Sequence, residues 1–236
     1  LNALVALVWN HPKNRMRMAN RDIIDISVLT TLAANGPSLN ANIRQRLAIL
    51  LADLAQLPAM RAKLSESGLM DTMYRWLHLP SHEAITRYCA AGALMNIVAS
   101  EANSVRFGKA IDSKFKPPMT YISAIGMMLK EELVDPFIMN LSGALANLAY
   151  KQDSNKAKMW SAGVVHALVA SLVHQSRPST AADVTMRRDL MIAALLMNLS
   201  AGVQMRPRLV EMGAIGVLLR IINGGPHKSM MRYALG

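Results

Sequence analysis

One short apolar word recurs along this chain, and its spacing constrains the fold more than any other feature. Around Asn147, Leu141 and Leu145 lie six and two residues before it, and Leu148 one after. The same offsets from Asn96 give Ala90, Leu94 and Ile97, and from Asn198 they give Ile192, Leu196 and Leu199. A fourth copy has Leu47, Leu51 and Leu54 around Asp53, and a partial fifth has Leu4 and Leu7 around Ala6. Steps of four and then three put these side chains on one helical face. The reference positions, 6, 53, 96, 147 and 198, lie 43 to 51 residues apart. That period marks a stack of helical units, each with too little apolar surface to fold alone.

The text between the references repeats too. A glycine follows about fifteen residues on, at Gly68, Gly163 and Gly213. Each comes after a short segment and before a second amphipathic stretch, such as Val165, Leu168 and Leu172, or Ile215, Leu218 and Ile222. One unit therefore reads as short helix, glycine turn, middle helix, loop and long inner helix. The glycine ends a helix by taking positive φ. Composition agrees: 52% of residues are hydrophobic but only 5% are aromatic, an Ala, Leu, Ile, Val and Met alphabet that favours helices over strands. The longest apolar runs fall far short of the ~18 residues of a membrane span. No secretory signal or lipidation motif is visible. The single cysteine, Cys89, cannot form an intramolecular disulfide, which fits a reducing intracellular compartment, cytoplasmic or cytoskeletal.

Two stretches carry a family resemblance. "NLAYKQDSNKAKMWSAGVVHALVASLV" and "NLSAGVQMRPRLVEMGAIGVLLRII" resemble armadillo repeats, with Asn-Leu, a polar loop, a basic residue, an apolar pair, Ala-Gly, and then two further helices. HEAT-type repeats are the nearest alternative. The resemblance spans essentially the whole chain. It implies an all-α, right-handed solenoid of three-helix units forming one domain, residues 1–236. Residues 1–10 would be a partial repeat, 11–56, 57–100, 101–151 and 152–202 full repeats, and 203–236 a truncated one. The longer spacings imply insertions at Asp112 to Pro118, between first and second helices, and at His174 to Thr185, between second and third. The chain opens on "LNALVALV" and stops on "MMRYALG", both in helical rhythm, as a piece of a longer protein would. In such a piece Leu4, Val5, Leu7 and Val8 would be exposed and would favour self-association. The 18 methionines suit an adaptable core.

No catalytic constellation stands out, so a non-catalytic protein without metal or cofactor is expected. His78 and His82 have i,i+4 spacing, but Pro80 between them breaks the helix such a metal site would need. Cys89 reads as a buried structural thiol. There is no phosphate-cradling glycine loop and no GxSxG motif.

Two recurrences are candidate binding features. By resemblance, Asn96, Asn147 and Asn198 map onto the inner-helix amide that clamps the backbone of an extended peptide, since an amide both donates and accepts. Asp53 and Ala6 interrupt that ladder. Family members that bind nuclear-import signals carry a Trp one turn earlier; the corresponding residues here are Gly92, Gly143 and Ala194, leaving no aromatic shelf for lysine stems. A net charge of +11 also makes a poor host for basic cargo. Lys151, one turn after Asn147, suits an acidic extended peptide instead. The second recurrence is a basic edge: Arg15, Arg61, Arg106, Lys156 and Arg206 lie eight to ten residues past their references, with Arg17, Lys63, Lys109, Lys158 and Arg208 beside them. Paired cations suit a polyanion or an acidic helix. Both recurrences also have a plain structural reading, because an Asn and a basic residue belong to the ordinary repeat pattern.

The expected function is a protein-interaction scaffold that binds an acidic or extended partner through its concave groove or basic edge. The alternative is a structural component of a cytoskeletal or axonemal (ciliary, microtubule-associated) assembly, with the basic edge against tubulin. RNA association is a weaker third, since few aromatics (Phe107, Phe115, Tyr150, Trp160) lie near the cations to stack on bases.

Overall fold

The computed structural model describes residues 1–9, 11–20, 25–35, 38–114, 116–131, 135–174 and 182–224. It forms two compact units, Leu1–Asn103 and Ser104–Gly236.

The first unit contains α1 (Asn2–Val8), α2 (Pro12–Asn20), α3 (Ile26–Ala34), α4 (Ala41–Ala55), α5 (Pro58–Glu66), α6 (Leu69–Leu77) and α7 (Ala84–Ile97). Local sequence sets the boundaries. The side chain of Asp25 accepts from the Ser27 amide to start α3, and that of Asn40 accepts from the Asn42 amide to start α4, both at 2.8 Å. Pro58 opens α5, where its missing N–H costs no helical bond. Gly68 separates α5 from α6 with φ of 79°.

The inner helices α4 and α7 pack side by side through the recurring positions. Leu47, Leu51 and Leu54 are at most 1% exposed, as are Ala90, Leu94 and Ile97. Burying each such leucine contributes about 1.5–3 kcal/mol. Arg44 forms a bidentate ion pair with Glu83, at 2.7 and 2.6 Å, and also donates to the Leu39 carbonyl. Arg87 holds the Leu77 carbonyl at 2.9 Å. These arginines stand at equivalent places near the starts of α4 and α7 and fasten the preceding loops. At the chain start Val8 is fully buried, contrary to expectation, because it turns inward while Leu7 is 53% exposed.

α8 (Glu101–Lys109) crosses the boundary between the units. The second unit continues with α9 (Tyr121–Glu131), α10 (Asp135–Ala149), α11 (Asp153–Ser161), α12 (Val164–His174), α13 (Ala182–Ser200), α14 (Arg206–Glu211) and α15 (Ala214–Gly224). α10 and α13 pack along one another. Leu141, Leu145 and Leu148 on α10, with Ile192, Leu196 and Leu199 on α13, are at most 3% exposed. Gly163 and Gly213 take φ of 69° and 82° at the turns into α12 and α15.

The insertion at 112–118 is bracketed by a feature that composition does not suggest. Strands β1 (Ile111–Asp112) and β2 (Met119–Thr120) pair antiparallel, with Ile111 opposite Thr120 and Asp112 opposite Met119. The other insertion, at 174–185, lies mostly outside the described residues, as do "MMRYALG" and His227.

Candidate functional site

The reference asparagines end the inner helices, where helix geometry leaves them half-exposed beside fully buried leucines. In the first unit, Asn96 occupies this place on α7. In the second, Asn147 occupies it on α10 and Asn198 on α13. The Asn198 amide nitrogen donates to the Ala146 carbonyl at 2.9 Å, tying α13 to α10 near the C-terminal ends of both. Its amide oxygen has no protein partner among the described residues and remains an acceptor.

Asp53 occupies the equivalent place on α4. Its Oδ1 accepts from Gln56 at 3.1 Å and lies 3.5 Å from Arg15, while its Oδ2 is enclosed without a hydrogen-bond partner. Burial pushes this carboxyl above the usual range, against the opposing pull of the Arg15 charge and the Gln56 hydrogen bond. Cys89 on α7 is buried, and its thiol is pushed up to about 12 by burial and by the Asp53 charge. It is therefore protonated at neutral pH, the unreactive form of a thiol.

A second set of asparagines, seven or eight residues past the references, was not singled out in the sequence. Asn14 donates to the Leu7 carbonyl at 2.8 Å, Asn103 to Ile97 at 2.9 Å and Asn155 to Leu148 at 2.9 Å. Each acceptor is the residue just past the reference. Asn103 also reaches the Arg61 carbonyl, and Asn155 the Ser104 carbonyl, both at 3.4 Å. The amides thus satisfy helix-end carbonyls and, within each unit, tie a short helix to the one before it.

Where this Asn is missing, an arginine takes over. Arg61 donates to the Ala55 and Gln56 carbonyls at 3.3 and 3.2 Å, and Arg206 to the Ser200 carbonyl at 2.8 Å. The other basic-edge residues divide in the same way. Arg15 reaches Asp53 and Gln56. Lys156 is buried and pairs with Asp153 at 2.8 Å. Lys158 donates to the Gly108 carbonyl at 2.6 Å, at the end of α8. Arg208 is exposed and lies over the Trp160 ring, 5.4 Å from its centre. Arg17, Lys63, Arg106 and Lys109 are exposed on α2, α5 and α8. At least five of the ten cations therefore hold helix ends or neighbouring polar groups, as cations near C-terminal carbonyls do.

Lys151 is exposed and takes φ of 53°, the left-handed region, just past the end of α10. Its ammonium lies 5.1 Å from the centre of the Tyr150 ring, which is itself 56% exposed. Among the described residues no cluster of His, Cys, Asp and Glu is placed to hold a metal ion, and no helix is long and apolar enough to cross a membrane.

Three-helix units with left-handed glycine turns define an all-α repeat protein. Comparison with solved structures specifies the type. The chain is similar to a designed armadillo repeat protein in complex with the peptide (KR)4, with a TM-score of 0.71 and 16% identity over 99% of this chain and 88% of that one. It is equally similar, at TM-score 0.71, to computationally designed armadillo repeat proteins for modular peptide recognition, with 19% identity over 99% of this chain and 88% of that one. It also matches an engineered protein at TM-score 0.72 and 21% identity over 99% of its own length, spanning about half (51%) of that chain. The fold is thus the armadillo-repeat fold, an all-α solenoid. No protein-family model and no curated protein matches the sequence.

Proposed function

We propose that the protein is an interaction scaffold that holds an extended, acidic partner segment on the inner-helix face of its second unit. Asn198 carries this reading. Its amide nitrogen is fixed on the Ala146 carbonyl, so its oxygen is a pre-oriented acceptor for a partner backbone N–H. Lys151, exposed past the end of the adjacent α10, supplies a cation to the same neighbourhood. The likeness to designed armadillo proteins, one bound to a peptide and others made for peptide recognition, supports a peptide-sized partner. The basic peptide of that complex is a poor guide to charge here, because this chain carries +11.

The test is fluorescence anisotropy with acidic, neutral and (KR)4 peptides, alongside tubulin with and without its acidic tails and a single-stranded RNA. The acidic peptide binds best, and Lys151→Glu and Asn198→Ala each weaken it about fivefold, the scale of one exposed charge or one hydrogen bond. Equal binding of acidic and neutral peptides, or an unchanged Lys151→Glu variant, defeats the reading. Preference for tailed tubulin would move it to a cytoskeletal lattice, and preference for RNA to nucleic acid.

A further inference from the structure

Among the described residues four backbones take positive φ: Gly68, Gly163, Gly213 and Lys151. Glycine is the ordinary occupant of the left-handed region, because a Cβ there crowds the following carbonyl. Lys151 departs from that rule at the second position past α10, where glycine is the usual helix stop. The residues at the same place after Asn96 and Asn198 are Ser100 and Gly202. Strain of this kind persists where the side chain has a task. Among the described residues the Lys151 side chain makes no hydrogen bond or ion pair, and its contact is with the Tyr150 ring. Tyr150 departs from its repeat in the same way. Ala99 and Ala201 stand at its position after Asn96 and Asn198, whereas this ring is 56% exposed and its hydroxyl has no partner among the described residues.

The backbone brings this pair to the Asn198 acceptor. The Ala146 carbonyl receives the Tyr150 backbone N–H at 3.1 Å and the Asn198 side-chain amide at 2.9 Å. Two donors on one oxygen stand side by side, so the Asn198 amide adjoins the turn that carries Tyr150 and Lys151. Asp153, the nearest carboxylate along the chain, is paired with Lys156 at 2.8 Å. Arg206, past the end of α13, adds a further cation while holding the Ser200 carbonyl. Resting on the peptide-binding reading above, we infer that Tyr150 and Lys151 form a two-pronged clasp for one side-chain carboxylate of the partner. The phenol hydroxyl and the ammonium both donate to that carboxylate, and the Asn198 oxygen accepts from the peptide backbone beside it. The ring steadies the ammonium by cation–π attraction. One ammonium matches the single charge of a carboxylate.

The experiment measures affinity by anisotropy and stability by thermal melting on the full chain, with a Glu peptide and its Gln counterpart. Tyr150→Phe removes one hydroxyl from an exposed ring. It leaves the melting temperature unchanged and weakens the Glu peptide about threefold, with little effect on the Gln peptide. Lys151→Gly removes the cation and the strain together, so the melting temperature rises while the Glu peptide binds about threefold more weakly. In the Lys151→Gly background Tyr150→Phe costs less than it does alone, because one prong does not hold the carboxylate in place. Unchanged Glu-peptide affinity in Tyr150→Phe overturns the clasp while leaving the acidic-peptide reading intact. A lower melting temperature in Lys151→Gly with affinity intact also overturns it, and makes the lysine a structural partner of the ring. Equal binding of Glu and Gln peptides by the parent protein overturns the acidic-peptide reading beneath it.

Discussion

A buried amide must find partners for its polar groups, and Asn155 is matched on three atoms of its unit: the Leu148 and Ser104 carbonyls and the Ser104 hydroxyl. Asn155→Ala leaves the Leu148 carbonyl with only its longer hydrogen bond from the Ser104 hydroxyl, at 3.4 Å, and is expected to cost about 1–3 kcal/mol in a urea melt. Gly108→Ala tests the same contact from the other side, since a Cβ there would overlap the Asn155 amide. The two substitutions combined should cost clearly less than their sum. Asp53 poses the opposite problem, a carboxylate where the next three repeats have asparagine. Its folded pKa is raised by burial. Its contribution to stability is therefore fully present below the ordinary carboxylate value and lost as pH rises through the folded value. Asp53→Asn should raise the melting temperature at pH 7 and flatten the pH dependence across that window. A variant that melts lower than the parent at pH 7 would show that the Arg15 pair outweighs burial. The reference asparagines were legible in the sequence, because they stand in register with a leucine pattern. The capping asparagines were not. Arg61 and Arg206 replace them after the second and fifth references, which disguises one structural task as a purely basic recurrence.

At the scale of elements, the glycine turns separate backbone strain from packing. Gly68 and Gly213 have φ of 79° and 82°, and a Cβ at either would meet nothing within 4 Å. Gly68→Ala and Gly213→Ala should each destabilise the protein by about 1 kcal/mol, through the left-handed backbone alone. Thermal melts giving no loss at either position would remove the turns' claim on glycine. These glycines, the helix order and the buried faces of the inner helices could be read directly, since each leaves a periodic or punctuating mark. The β1–β2 ribbon could not. Its strands are two residues long, too short to show alternation, and its pairing is fixed by how the insertion returns to α9.

For the whole molecule, charge is the quantity the sequence states most plainly, while the division into units at residues 103 and 104 leaves no mark in an unbroken repeat. An excess of 26 basic over 15 acidic residues repels itself in the compact state and attracts an acidic partner, and dissolved salt screens both effects. From about 20 mM to about 300 mM NaCl the Debye length falls from roughly 20 Å to roughly 6 Å. The melting temperature of the free protein should rise over that range, as like-charge repulsion is screened. Over the same range the acidic peptide should bind more weakly, because Lys151 acts through solvent-exposed charge. Calorimetric melts and anisotropy titrations in the same buffers measure both. A melting temperature that is insensitive to salt would mean that the cations are already neutralised by their carbonyl and ring contacts within each unit.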